Sequence, residues 1–162
     1  MSDLSVNRRA HFDYEILATY EAGIELLGFE VKAVKTGRMN LAGAFVVIRG
    51  EEAHPHTKTQ KRFSVGAWLL NAAIAPYQPK NTPADYEPTR SRRLLLHKSE
   101  IKELLGQTSQ KGLTIIPLKV YTKRNRVKVL IGLARSKKKG DKREVIKRRE
   151  ASREIDRTLK RG

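Results

Sequence analysis

Few residues in this chain are equipped for catalysis or metal binding, and their spacing builds no catalytic array. The histidines are His11, His54, His56 and His97. His54 and His56 form an H-x-H pair that can reach a metal from one edge of a strand, but no HExxH motif or second ligand pair accompanies them. A pair of exposed loop histidines explains them more simply. An RNA-processing enzyme built on His11 or His97 would need partners that no motif supplies. Cysteine is absent, which excludes disulfides, thiolate zinc sites and a cysteine nucleophile. The chain has neither a phosphate-binding loop (G-x-x-x-x-G-K-S/T) nor G-x-G-x-x-G. No serine sits in a G-x-S-x-G elbow. The expectation is a protein without catalytic residues, metal or cofactor.

Glu30 stands beside Phe29, Val31 and Lys32, with no acidic partner nearby in sequence. Two readings stay open for it. On a positive surface it can accept hydrogen bonds from base amino groups or ribose hydroxyls, which a lysine cannot do. It can equally form an intramolecular ion pair with Lys32 or Arg38.

The cations carry a stronger signal. They cluster at Arg8-Arg9, at Arg90, Arg92 and Arg93, at Lys123-Arg124 with Arg126, and at Lys137-Lys138-Lys139 with Lys142-Arg143. Each cluster can contact phosphates, which makes Arg8, Arg90 and Arg92 candidate RNA contacts. Lys and Arg together number 34 against 17 Asp and Glu, a formal net charge of +17. A field of that sign favours a polyanion: nucleic acid or an acidic membrane face. Aromatic residues make up only 6%, too few for a base-stacking platform on single strands. Recognition of a folded RNA by phosphate and shape fits better. No apolar run approaches the roughly 20 residues of a membrane helix, and the N-terminus has no signal-peptide core. An intracellular, nucleic-acid-associated protein is the expectation.

The elements that must hold these cations can be read from pattern. With 162 residues there is room for one domain and a tail. Residues 134–162 carry 13 Lys and Arg and 5 Asp and Glu, close to half the excess charge in 29 residues. In this stretch Val145, Ala151, Ile155 and Leu159 share one helical arc, with Ile146 outside it. So thin a stripe predicts disorder in the free chain and a helix when bound. In the body, Asp13–Tyr20 alternates as a strand, and Glu21-Ala22-Gly23 reads as a turn. Leu27, Val31 and Val34 mark a short helix ended by Gly37. Phe45–Ile48 is a strand followed by a hairpin turn at Arg49-Gly50-Glu51, and Trp68–Leu70 is the next strand. The prolines between 76 and 90 make an extended connection leading to a strand at Leu94–Leu96. Ile101, Leu104 and Leu105 share a helix face, with Gly106 as its stop. Leu113–Tyr121 and Arg126–Leu133 are strands joined by a turn at Lys123-Arg124-Asn125. Five or six strands of this size close most naturally into a small barrel, because an open sheet leaves exposed edges. The expected fold is mainly β: an OB-like barrel over 1–133 with one or two helices, then the basic tail over 134–162.

In this order the residues resemble the small protein B (SmpB) family, partners of transfer-messenger RNA (tmRNA) in bacterial ribosome rescue. The matching stretches begin with Asn7-Arg8-Arg9-Ala10 before Asp13-Tyr14, Glu21-Ala22-Gly23-Ile24 and Gly28-Phe29-Glu30-Val31-Lys32. They continue through Glu87-Pro88-Thr89-Arg90, Arg93-Leu94-Leu95-Leu96-His97, Gly112-Leu113-Thr114, Pro117-Leu118 and Val127-Lys128-Val129. Lys137-Lys138-Lys139 and Asp141-Lys142-Arg143 close the set. The resemblance implies a six-stranded OB-like barrel that binds the tRNA-like domain of tmRNA, and a tail that lies as a helix in the empty message channel of a stalled 70S ribosome, passing the decoding centre. It implies a cytoplasmic, non-enzymatic adaptor, expected as a monomer. Alanyl-tRNA synthetase and elongation factor Tu would be indirect partners through the RNA. Carried over by position, Asn7, Glu30, Lys32, Lys128 and Lys137, Lys138 and Lys139 face RNA. Asp141, Lys142 and Arg143 begin the ribosome-reading tail, and Ile155 and Leu159 are its apolar contacts.

This sequence departs from the family pattern in two places. Family members often carry His or Tyr directly before the Asp-Lys-Arg triplet, where Gly140 stands here. That removes a stacking group and predicts a flexible joint. Residues Ala53–Ala67 form an insertion where relatives turn almost directly, longer than the usual hairpin loop of about 2–5 residues. It adds Lys58, Lys61 and Arg62. The alternative function is a structural ribosomal protein whose basic tail threads into rRNA.

Overall fold

The structure, a computed structural model, describes residues 2–51 and 64–161. Its frame is a long hairpin of β8 (Leu113–Lys123) and β9 (Arg126–Ser136). Arg124 and Asn125 turn it, both with positive φ (50° and 62°). This two-residue geometry follows the right-handed twist of the strands it joins. β9 also pairs along its length with β2 (Tyr14–Ile24), from Tyr14 opposite Ser136 to Gly23 opposite Lys128. Along β2, Glu15, Leu17, Thr19 and Glu21 are exposed, whereas Ile16, Ala18, Tyr20 and Ala22 are at least half-buried. The alternation predicted from Tyr14 onward is therefore correct, but it runs on to Ile24. Glu21-Ala22-Gly23 is strand, not turn. At Gly23 a Cβ would lie 3.2 Å from the Leu95 Cβ, so this glycine admits a close neighbour.

β4 (Phe45–Glu51), β5 (Ser64–Leu70) and β7 (Arg92–Leu95) complete the sheet. The order β8–β4–β5–β7–β2–β9, with β9 paired back to β8, closes six strands into a ring. That is the expected mainly-β closure. Arg49-Gly50-Glu51 is not a turn: these residues pair with Ser64, Val65 and Gly66. β5 starts at Ser64, within the stretch expected as an insertion over Ala53–Ala67. His54, His56, Lys58, Lys61 and Arg62 lie outside the described residues. β1 (Ser2–Val6) adds to the edge of β8, and β3 (Met39–Asn40) pairs with β6 (Ala73–Ile74) in a separate ladder.

The helices are α1 (Ala10–Asp13), α2 (Gly28–Lys35), α3 (Lys98–Thr108) and α4 (Lys139–Arg161). Gly37, at φ 81°, ends the α2 segment as predicted. Gly106 does not stop α3, which continues to Thr108. The helix buries Leu104 in the core, and that packing outweighs the glycine penalty of about 1 kcal/mol. The reversal comes later, at Gly112 (φ 88°). The core collects Val34, Leu69, Ile74, Leu94, Leu104, Ile115, Val129 and Ile131. A smaller cluster of Ala10, Ile116, Leu118 and Ala134 fastens α1 to β8 and β9.

β9 carries the sheet to Ser136, past the expected boundary at 133. Beyond it the tail forms one helix, α4, over Lys139–Arg161. Gly140 lies within its first turn rather than in a separate joint. Among the described residues, no helix is long and apolar enough to cross a membrane.

Candidate RNA interface

Glu30 occupies the third position of α2, where its carboxylate reaches back to accept the Leu27 N–H at 2.9 Å. The residue is fully buried. Arg90 donates to Oε1 through Nη2 and to Oε2 through Nε at 3.3 Å. Arg92 donates to Oε2 through Nε at 2.8 Å and Nη2 at 2.5 Å. The Tyr86 hydroxyl donates to Oε2 at 3.0 Å. Arg92, also fully buried, spends its other protons on the carbonyls of Ala72 (2.8 Å) and Pro88 (2.9 Å). Burial alone would raise the Glu30 carboxyl. The hydrogen bonds from Arg90, the Leu27 amide and Arg92 outweigh it and hold the group below the ordinary carboxylate range.

This geometry corrects three expectations. Glu30 and Arg92 do not face RNA, because neither has accessible surface. Arg90, about a third exposed, is committed to Glu30. The intramolecular reading of Glu30 was right in kind but not in partner. Lys32 is exposed, and Arg38 donates instead to the Pro76 carbonyl at 3.0 Å. The network pins the proline-rich connection onto α2. Phe29 and Tyr86 add an edge-to-face contact, with centroids 4.8 Å apart.

Two basic surfaces remain, at opposite ends of the ring. The first gathers at the β8–β9 turn. Lys123, Arg124, Arg126 and Lys128 line one concavity with Glu21 as their only acidic companion. α2 lies alongside, with Lys35 Nζ donating to Asn125 Oδ1 at 3.3 Å. Lys32, three residues earlier, shares that helix face. Between the cations runs a shallow groove with an apolar floor of Ile24, Leu26, Val31, Leu95 and Val127. The acid is itself engaged. Glu21 accepts from the Tyr121 hydroxyl and from Lys123 Nζ at 3.3 Å. The Tyr121 bond lowers the Glu21 carboxyl. Burial and that same bond push Tyr121 up to about 12. What faces outward is a cationic rim over an apolar floor, suited to phosphates and an unpaired base edge.

The second surface lies at the Tyr14–Ser136 end, about 30 Å away at 3.3 Å per residue along β2. Arg8 and Arg9 line a groove there with Asn7, Asn40, Phe45 and Thr114. Asn7 is partly structural: its backbone N–H bonds the Leu118 carbonyl at 2.8 Å, and its amide donates to the Pro117 carbonyl at 2.9 Å. Lys137 is half-buried and donates to the His11 carbonyl at 2.7 Å, while Lys138 is exposed. Lys139 and Asp141 fall in the first turn of α4, followed by Lys142 and Arg143. The predicted set is thus divided: Lys32 and Lys128 belong to one end, and Asn7, Arg8, Lys137, Lys138 and Lys139 to the other. The Lys123-Arg124 and Arg126 cluster that the sequence offers as a phosphate contact lies at this end, and Lys35, which sequence reasoning missed, joins it. The i,i+3 spacing of Lys32 and Lys35 was the available signal. Ile155 and Leu159 are 60% and 75% exposed, so neither packs on the body. Among the described residues, no group of three or more His, Asp or Glu could hold a metal.

Comparison with known proteins agrees with this arrangement. The family model described as "SmpB protein" matches residues 4–161. The SsrA-binding protein of Thermosynechococcus vestitus is 48% identical over 157 residues, covering 97% of this chain and 94% of its own length. That of Gloeothece citriformis is 49% identical over 155 residues, covering 96% and 91%. A chain solved under the description "tmRNA-SmpB: a journey to the center of the bacterial ribosome" is 44% identical. It superposes with a TM-score of 0.60 over 87% of this chain and 92% of its own. A closed six-stranded ring, a basic hairpin end and a basic C-terminal helix, matched at this identity over nearly the whole length, make the chain a member of the SmpB family.

Proposed function

We propose that this protein is a tmRNA-binding adaptor for trans-translation. It holds the tRNA-like domain of tmRNA and delivers it to stalled ribosomes. The observation that carries this reading is the separation of the two basic surfaces on a chain of this family. The β8–β9 end, with Lys32, Lys35, Lys123, Arg124, Arg126 and Lys128, binds the folded RNA. The tail, from Lys137 through Asp141, Lys142 and Arg143 to Ile155 and Leu159, enters the empty message channel and the decoding centre. The chain works as a monomer in the cytoplasm. Alanyl-tRNA synthetase and elongation factor Tu meet it through the RNA. It performs no chemistry of its own: its work is shape and charge.

The test is a salt titration of binding to the tRNA-like domain, run against an elongator tRNA. The adaptor reading expects a preference for the tRNA-like domain that survives moderate salt. Equal affinities that collapse together with salt would reduce the interaction to counterion release. In that case, stoichiometric retention on washed, translating ribosomes would make the chain a structural ribosomal protein instead.

A further inference from the structure

The shallow groove between α2 and the β8–β9 hairpin offers a floor for the face of a base and one side chain that can read its edge. Ile24, Leu26, Val31 and Val127 form a half-buried floor, and Leu95 beside them is 50% exposed. The groove encloses about 310 Å³, the low end of clefts that take a small ligand. Its charged side chains are Arg126 and Lys128, and no acid lines it. Asn125 is the one neutral hydrogen-bonding side chain there. Its amide is oriented. Lys35 Nζ donates to Oδ1 at 3.3 Å. An ammonium only donates, so the atom it meets is the carbonyl oxygen, and the NH2 is turned away from Lys35. Among the described residues, no hydrogen bond uses that NH2. The turn does not explain the residue either. Arg124 and Asn125 both have positive φ (50° and 62°), and the second position of such a turn is served best by glycine. Asn125 holds a place that the backbone alone would give to glycine.

This orientation selects among bases. An asparagine whose amide is unengaged pairs with adenine, accepting from N6 and donating to N7. Here Lys35 occupies the oxygen, and its charge opposes a second donor approaching it. What Asn125 then presents is donors alone, and Arg126 and Lys128 also only donate. Guanine carries two acceptors, O6 and N7, on the corresponding edge. We infer that Asn125 is a specificity-determining residue that reads an unpaired guanine laid on the apolar floor. Asn125 touches the base, and Lys35 acts through it as a positioning residue. The base preference stands on the groove itself, and its part in holding the tRNA-like domain rests on the adaptor reading above.

The test uses the full chain and two RNA stem-loops that differ only in one unpaired base, guanine or adenine. The parent should bind the guanine loop about fivefold more tightly, the worth of one net hydrogen bond. Asn125→Gly suits the turn and keeps every cation. It should bring the two loops within about twofold of each other, with the salt slope unchanged. Lys35→Met keeps the bulk of the side chain and releases Oδ1. It should weaken both loops through the lost charge and move the preference from guanine to adenine. A parent that binds the two loops alike, or an Asn125→Gly variant that keeps the guanine preference, would overturn the inference. So would an equal loss on both loops in Asn125→Gly, which would make the amide a phosphate contact. The elongator comparison separates this inference from the adaptor reading. A guanine preference that vanishes in Asn125→Gly, in a chain that does not prefer the tRNA-like domain to an elongator tRNA, would retire the adaptor reading and leave Asn125 as the base reader.

Discussion

Glu30→Ala tests the buried network most severely. The substitution removes one carboxylate and leaves the fully buried Arg92 guanidinium without its only counter-charge apart from carbonyl dipoles. Breaking a buried pair from one side costs about 3–5 kcal/mol, because the remaining charge stays desolvated. For a chain of this size that corresponds to a fall of roughly 10 °C in Tm. The assay is urea unfolding followed by tryptophan fluorescence, since Trp68 lies on the sheet next to Arg93 of β7. Arg90→Ala serves as the graded control. Its side chain is about a third exposed, water replaces the lost partner, and the cost should be about 1 kcal/mol. Adding Arg92→Met to Glu30→Ala should recover part of the loss, because no unpaired charge is then left inside. RNA affinity of Glu30→Ala, measured where the variant is fully folded, should match the parent. A stability loss below about 1 kcal/mol, or weakened RNA binding with unchanged stability, would refute the buried-network account and return Glu30 to the RNA surface.

Two further predictions follow from the same coordinates. Because the Glu30 carboxyl is held low in the folded state, its contribution is complete above the unfolded value of roughly 4.3 and is lost as pH falls through the folded value; the stability gap between parent and Glu30→Gln should narrow below about pH 4, and a gap constant down to pH 2 would contradict it. At Gly132 a Cβ would stand 3.2 Å from Ile16 Cγ2 and from Leu118 Cδ1, so Gly132→Ala should destabilise by about 1–3 kcal/mol through overpacking, read as a lower urea midpoint.

Strand periodicity and the cationic turn were legible in the sequence alone. The alternation of β2, the hairpin of β8 and β9, and the α2 stop at Gly37 all follow from spacing and turn chemistry. What was misread turned on contacts distant in sequence. Gly23 looks like a turn until Leu95 is brought against it. Gly106 looks like a helix stop until Leu104 is buried. β1 has no pattern of its own and exists through its pairing with β8. The site divided in the same way. Exposed lysines on a helix face or a turn declare themselves locally. Arg90 and Arg92 carry the same charge in sequence, but a carboxylate about 60 residues away turns them inward.

The central claim is that the two ends of the ring do separate work. A paired comparison tests it most directly. One variant replaces Lys123, Arg124, Arg126 and Lys128 with alanine, and the other truncates the chain after Ser136. Both are measured for affinity to the tRNA-like domain and for tagging on stalled ribosomes. The account predicts that the first loses affinity by at least tenfold, with a shallower salt slope, and loses tagging with it. The second should keep its affinity within about threefold while tagging disappears. Parallel loss of both activities in the truncated chain, or unchanged affinity in the alanine variant, would contradict it.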